Sequence, residues 1–196
     1  MEERVKSRRE QYAESTRTAL LDTGRRFFAE RGFSSVSAEE LVRAAGLTRG
    51  ALYHHFAGKQ GLFEAVFEDL EAEAADRVTA AMAREDAPRA RATAGTRAFL
   101  EICSDPAYRE IVLLQGPIAL GWERWRELDQ RYLGTILTGV LAALLGDSGP
   151  HPLDLTAAAF YGALTELALA VASAQDQAPA REQALRLVGA MLDGVR

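Results

Sequence analysis

The stretch LTRGALYHHFAGK, residues 47–59, decides how the chain is read. It describes a short helix that keeps unusual company. Thr48 is a good N-cap residue, able to accept from a backbone N–H one turn on. Gly50 stands in the first turn, although glycine inside a helix costs up to about 1 kcal/mol. Tyr53, His54 and His55 follow in succession, and Gly58 marks the stop. On a helical wheel Leu52 and Phe56, four apart, face inward, with His55 at the edge of that face. Arg49 with Tyr53, and Gly50 with His54, face out. A helix this short, small at its first turn and polar outside, is shaped to be pressed against something.

The preceding segment, SVSAEELVRAAGL, gives the helix its partner. Ser37 followed by Glu40 is a capping box, in which each side chain satisfies a backbone N–H at the other residue. Leu41 and Ala45 face inward, and Gly46 supplies the turn. Two short helices joined this way form a helix-turn-helix, whose second member enters the major groove of DNA. Gly50 and Ala51 let the backbone approach base edges, and Arg49 can fork onto guanine O6 and N7. Tyr53 and the histidines can reach phosphates or a thymine methyl. Lys59 opens the next helix, where its charge and the helix dipole both favour a phosphate.

Working outward, the rest of the chain reads as helix, with no alternating strand pattern and no internal repeat. A first helix over about residues 8–30 places Leu20, Gly24, Phe27, Phe28 and Arg31 at helical spacing and stops at Gly32. A long fourth helix starts near Lys59, and REDAPRAR is the clearest break after it. PRARATAGTRAFLEICSD, PAYREIVLLQ, GWERWRELDQRYLGTILTGVLAALLG, HPLDLTAAAFYGALTELALAVASAQ and AREQALRLVGAMLDGV complete the chain, with Gly116 and Pro117 interrupting between the second and third of these. The fold class is therefore all-α: a three-helix head, residues 1–60, and a helical body, residues 61–196.

Composition bounds the function. The 196 residues suffice for a small domain joined to a larger one. Residues 1–60 carry 11 Lys and Arg against 8 Asp and Glu, and the remainder 12 against 20, for a net charge of −5. A basic head on an acidic body suits contact with a polyanion through the head alone. No apolar run approaches the ~20 residues of a membrane span. The N-terminus, MEERVKSRREQYAES, lacks a signal peptide's apolar core. The single cysteine, Cys103, allows no intrachain disulfide, in keeping with a cytoplasmic protein. His54 and His55 diverge by about 100° on a helix, and no third ligand stands at a zinc spacing, so no metal or cofactor is expected. Neither G-x-S-x-G nor a P-loop occurs, and Ser34, Ser35 and Ser37 read as loop and cap.

The block ALLDTGRRFFAERGFSSVSAEELVRAAGLTRGALYHHFAGKQGLFEAVFE, residues 19–68, closely resembles the N-terminal DNA-binding domain of the tetracycline-repressor (TetR) family. FFAERGF, AAGLTRGALYHHF and GKQGLFEAV stand in the family's order and spacing. The resemblance implies a regulator of transcription, commonly a repressor, that binds a pseudo-palindromic operator as a homodimer and is released by a small-molecule inducer. By position, the family's DNA contacts carry over to Ser37, Thr48, Arg49, Gly50, Tyr53, His54, His55 and Lys59. Val42 departs from the small residue usual there. Glu39 stands at a position often basic or polar; an acid would repel phosphate, so it is left out of the contacts.

For the body, the resemblance implies an inducer pocket on helices five to seven, which points to Phe99, Cys103, Tyr108, Trp122, Trp125 and Tyr132. Such a set suits a largely apolar inducer, and the acidic body disfavours a strongly anionic one. Aromatics at helical spacing equally describe plain core. The last two helices carry apolar stripes, Ala157, Phe160, Tyr161, Leu164 and Ala168 on one, Val188 and Met191 on the other. Either these stripes pack within one protomer, or, as the resemblance implies, they form a four-helix seam between two copies. Two rival functions use the same residues: an enzyme working through His54 and His55, and an architectural protein binding any duplex. The acidic body disfavours the latter.

Overall fold

The computed structural model describes residues 8–146 and 151–195, and among these every regular element is helical. The N-terminal heptad, read above as part of a segment without a leader's apolar core, lies outside the described residues. The head is formed by α1 (Arg8–Arg31), α2 (Ala38–Ala44) and α3 (Arg49–Phe56), and α4 (Lys59–Met82) runs from it into the body. These four boundaries lie where the caps and glycines predict them. Leu20, Leu41, Leu52, Leu62 and Phe63 are each fully buried and seal the three head helices onto the start of α4. Phe63 is packed edge-on against both Phe28 and Phe33, each ring centroid 5.1 Å away. Gly61 makes the junction possible, because a Cβ there would lie 1.6 Å from the Phe56 carbonyl oxygen. Only a residue without one lets α4 leave α3 at this angle.

The body continues with α5 (Pro88–Ile102), α6 (Pro106–Tyr108), a π-helical turn π1 (Arg109–Gln115), α7 (Gly116–Leu120), α8 (Trp122–Asp129), a second π turn π2 (Gln130–Gly134), α9 (Thr135–Leu145), α10 (Leu153–Ser173) and α11 (Gln177–Gly194). Gly116 and Pro117 do not interrupt the path as expected. Pro117 falls in the first turn of α7, which continues directly from π1. The chain breaks instead at Gly121, with φ +80°. Gly116 is a point of close packing, since a Cβ there would lie 2.6 Å from the Trp125 ring.

One core cluster runs unbroken from Leu20 in the head to Leu185 in α11, so head and body share an apolar interior. A smaller cluster, built on Leu141, Phe160, Val188 and Leu192, holds the far end of the bundle. The expectation that no apolar run reaches membrane-spanning length needs correction. α10, 21 residues with a mean hydropathy of 1.6 in its most apolar window, meets that test by length and composition. Charges at Asp154 and Glu166 had masked it. Its inner face is taken up by the core through Phe160, Ala168 and Val171, whereas Leu155 is 65% exposed on the opposite face.

Candidate functional site

The outer face of α3 is built by strictly local devices. Ser37 caps α2: its Oγ accepts from the Glu40 N–H at 3.2 Å, and its own N–H donates to Glu40 Oε2 at 2.9 Å. Arg31 adds a bond to Glu40 at 2.8 Å. These contacts, the Ser37 backbone N–H foremost, hold the Glu40 carboxyl down to about 2. Gly46, with φ +68°, ends α2, and the Leu47 N–H returns to the Val42 carbonyl at 2.8 Å. Thr48 then caps α3 by accepting from the Ala51 N–H at 3.3 Å. Leu52 and Phe56 anchor α3 to the core, which turns Arg49, Gly50, Tyr53 and His54 to solvent, with His55 half-buried beside them.

This face is preorganised. The Arg49 guanidinium stacks over the Tyr53 ring, 5.5 Å from its centroid, and donates to the Tyr53 hydroxyl at 3.4 Å. Around Gly50 only the Thr48 hydroxyl comes within 4 Å of a hypothetical Cβ, so the first turn is open to an approaching surface. The His54 and His55 rings stand nearly perpendicular, 5.1 Å apart. Among the described residues no group of three or more His, Cys, Asp or Glu is arranged to hold a metal ion.

Lys59 does something the sequence did not suggest. Its ammonium donates to the carbonyls of Phe33 and Val36, each at 2.9 Å, and rides over the Phe33 ring. Two of its three N–H groups thus pin the loop before α2 to the start of α4, leaving one for an outside acceptor.

Inside the body lies a cavity of about 80 Å³ between α4, α5, α9, α10 and α11. Val78 and Met82 of α4, Phe99 of α5, Leu133, Ile136 and Leu137 of π2 and α9, Phe160 and Leu164 of α10, and Val188 of α11 give it apolar walls. Its polar groups are Thr96, Asp129, Tyr161 and Thr165. Of the six residues expected at a pocket, Phe99 alone among them lines this cavity. Cys103 and Tyr108 are buried in the core behind it, and the Tyr108 hydroxyl donates to Glu71. Trp125 is also core, its indole N–H given to the Val112 carbonyl at 3.0 Å. Trp122 is 60% exposed, and Tyr132 is half-buried outside the lining.

The stripes assigned to a seam between copies turn inward as well. Phe160, Tyr161, Leu164 and Val188 line the cavity, Ala168 is wholly buried, and Ala157 and Met191 pack on the smaller core cluster. The reason is that α10 is apolar on two faces, and a stripe cannot say which of them meets the protomer's own core. Asp129 and Glu71, the buried acids among the described residues, carry no motif that marks them in the sequence. Both interrupt apolar stripes, Trp125–Asp129–Leu133 and Phe67–Glu71–Ala74, and an acid so placed was the available signal.

α4 connects the two regions. At its head end Lys59 holds the α2 loop and Gln60 reaches the Ala119 carbonyl at 3.4 Å. Along its length Glu64 and Glu68 pair with Arg124 and Arg131, and Glu73 pairs with Arg25 through both carboxylate oxygens. At its far end Val78 and Met82 form cavity wall.

Comparison with known proteins places this architecture. Residues 20–66 match the model of bacterial regulatory proteins of the tetR family, and residues 89–195 match the tetracyclin repressor-like C-terminal domain. The HTH-type transcriptional regulator AcrR of Shigella flexneri is 47% identical over 58 residues, 30% of this chain and 27% of that protein. The HTH-type transcriptional repressor Rv1474c of Mycobacterium tuberculosis is 38% identical over 76 residues, 39% and 38% of the two chains. These alignments therefore span between a quarter and two fifths of the relatives' length. A crystal structure of a TetR-family transcriptional regulator from Pectobacterium atrosepticum superposes with a TM-score of 0.77, at 31% identity and covering 97% of both chains. With head and body both matched in order, the chain belongs to the tetR family of bacterial regulatory proteins.

Proposed function

We propose that the chain is a sequence-specific DNA-binding repressor of transcription that works as a homodimer and leaves its operator when a small molecule fills the body cavity. The observation that carries this reading is the outer face of α3, with the Arg49 guanidinium held over the Tyr53 ring beside an unobstructed Gly50. Arg49 reads a base edge; Tyr53, His54, His55, Ser37 and Thr48 meet the flanking phosphates and sugars; the third N–H of Lys59 takes a phosphate. The head is residues 1–60 and the body residues 61–196. His54 is exposed and His55 half-buried on the outer face of α3, and neither lines the body cavity or its neighbouring groove, which favours binding over catalysis, and such a protein acts in the cytoplasm, where the DNA is.

One α3 offers few base contacts, so two copies are needed to read two half-sites. Their seam is formed by the outer faces of α10 and α11, where Leu155 and Leu187 are exposed among small residues such as Ala159, Gly162 and Ala190. Control passes along α4. A ligand that enlarges the cavity displaces Val78 and Met82 at one end, and the rigid helix carries Lys59 and its clamped loop at the other. The ligand favours the non-binding spacing of the heads by a few kcal/mol, which shifts the population.

The experiment is fluorescence anisotropy of the full chain with duplexes flanking its own gene and with a scrambled duplex, at two salt concentrations. The reading requires one flanking duplex to bind roughly a thousandfold more tightly than the scrambled one. Equal affinity for every duplex would overturn it.

A further inference from the structure

Asp129 and Glu71 are carboxyls buried in the body without an ion pair among the described residues. Asp129 is 7% exposed and Glu71 wholly buried, and among the described residues neither forms an ion pair. Asp129 accepts from the Tyr161 hydroxyl. Glu71 accepts from the Tyr108 hydroxyl at 2.9 Å through one oxygen, while its other oxygen has no partner. Arg126 lies over the Tyr161 ring, 4.8 Å from its centroid, and its charge favours the ionised form of Asp129 without an ion pair being made. Burial pushes the Glu71 carboxyl well up, and it raises Asp129 to about 6. Unpaired charge in an apolar interior is unfavourable, and apolar side chains in the same places would stabilise the fold.

The surroundings say what would relieve it. Among the described residues Asp129 is the one charged side chain on the cavity, whose other walls are mostly apolar apart from Thr96 and Thr165, with Phe99, Phe160 and Tyr161 presenting rings. We propose that the cavity takes a hydrophobic cation, an amine or quaternary ammonium whose charge lies against Asp129 and whose apolar part fills the space between Leu133, Ile136, Phe160 and Val188. The rings add cation–π attraction to the ion pair. Tyr161 also borders an open surface groove with Gln130, Thr138 and Ala157, so its hydroxyl stands between that groove and the acid. A cation entering there takes over the Asp129 oxygen that Tyr161 holds. A neutral ligand of the same shape leaves the acid unanswered, and an anion is repelled by it.

The proposal rests on the cavity being the effector site, and its test separates the two. Full-length protein is titrated by calorimetry at about neutral pH with n-octylammonium, n-octanol and octanoate, which share a chain and differ in head group. The expected result is octylammonium binding roughly tenfold or more tightly than octanol, with octanoate weakest. Asp129→Asn, checked by circular dichroism, brings the amine down to the level of the alcohol. Octylammonium that fails to bind, or binds no better than octanol, or keeps its advantage in Asp129→Asn, overturns the proposal. The same ligands are then added to the protein on its operator. A head-group preference without release of DNA leaves the cation site standing and removes the effector reading; release that is blind to head group does the reverse.

Discussion

The Lys59 ammonium lies 4.0 Å from the centroid of the Phe33 ring and donates to the Phe33 carbonyl at 2.9 Å. With its second bond, to Val36, it fixes where α2 begins relative to α4. A residue proposed to take a phosphate is therefore also part of the head's framework, and that gives it a signature different from Arg49.

Lys59→Ala is expected to lower stability by about 1–3 kcal/mol, because two carbonyls lose a charged donor, and to weaken binding to all duplexes alike. Arg49→Ala, on an exposed face, should leave stability within about 0.5 kcal/mol while reducing discrimination at one base pair by about 1–3 kcal/mol. Urea denaturation and anisotropy on single-base operator variants distinguish them. A Lys59→Ala protein as stable as the parent would contradict the clamp.

Gly61→Ala places a Cβ on the Phe56 carbonyl oxygen, 1.6 Å away, and backbone cannot yield as a side chain can. The expected loss is about 3 kcal/mol or more, read as a drop in Tm with the head melting first by hydrogen exchange. A change below about 1 kcal/mol would mean that α3 and α4 do not meet as described.

Glu40 gives the head an acid-sensitive cap. Its carboxyl is held at about 2, chiefly by the Ser37 backbone N–H, then by the Ser37 hydroxyl and Arg31, against a usual value of 4.5. A folded-state value below the unfolded one adds stability above pH 4.5, and that stability is lost as pH falls from there toward 2. Glu40→Gln should flatten the fall of Tm over this window. Parallel curves for the two proteins would show that the capping box does not titrate with folding.

For Asp129 the sign is opposite. Burial raises its carboxyl from 3.8 to about 6, so the folded state holds the proton more tightly and its advantage is lost as pH rises through that range. Asp129→Asn should gain on the parent as pH goes from about 4 to 7, by up to about 3 kcal/mol, because the buried charge is gone and the Tyr161 hydroxyl keeps an acceptor. Denaturation midpoints that stay in constant offset across this range would contradict the burial of an ionising group.

The head was legible in the sequence because its determinants are local. Ser37, Glu40, Gly46 and Thr48 act on residues within four positions of themselves, and Leu52 with Phe56 fixes which side of α3 faces out. The body was less so, because which face of a long apolar helix meets which neighbour is a tertiary matter. Trp122 and Trp125 share one stripe in the sequence, yet Gly121 and the packing of Trp125 on Gly116 send one outward and one inward. The cavity is made by aliphatic residues from several separate elements, with Asp129 as its marker. The acid in the stripe was a better guide than the aromatics around it.

Two α3 helices reading one duplex should leave a two-fold mark in hydroxyl-radical footprinting of the full chain on its operator. Two protected patches of equal strength are expected, related by two-fold symmetry and centred about one helical turn apart, roughly 10–10.5 base pairs. A single patch, or protection spread evenly along any duplex, would contradict that pairing.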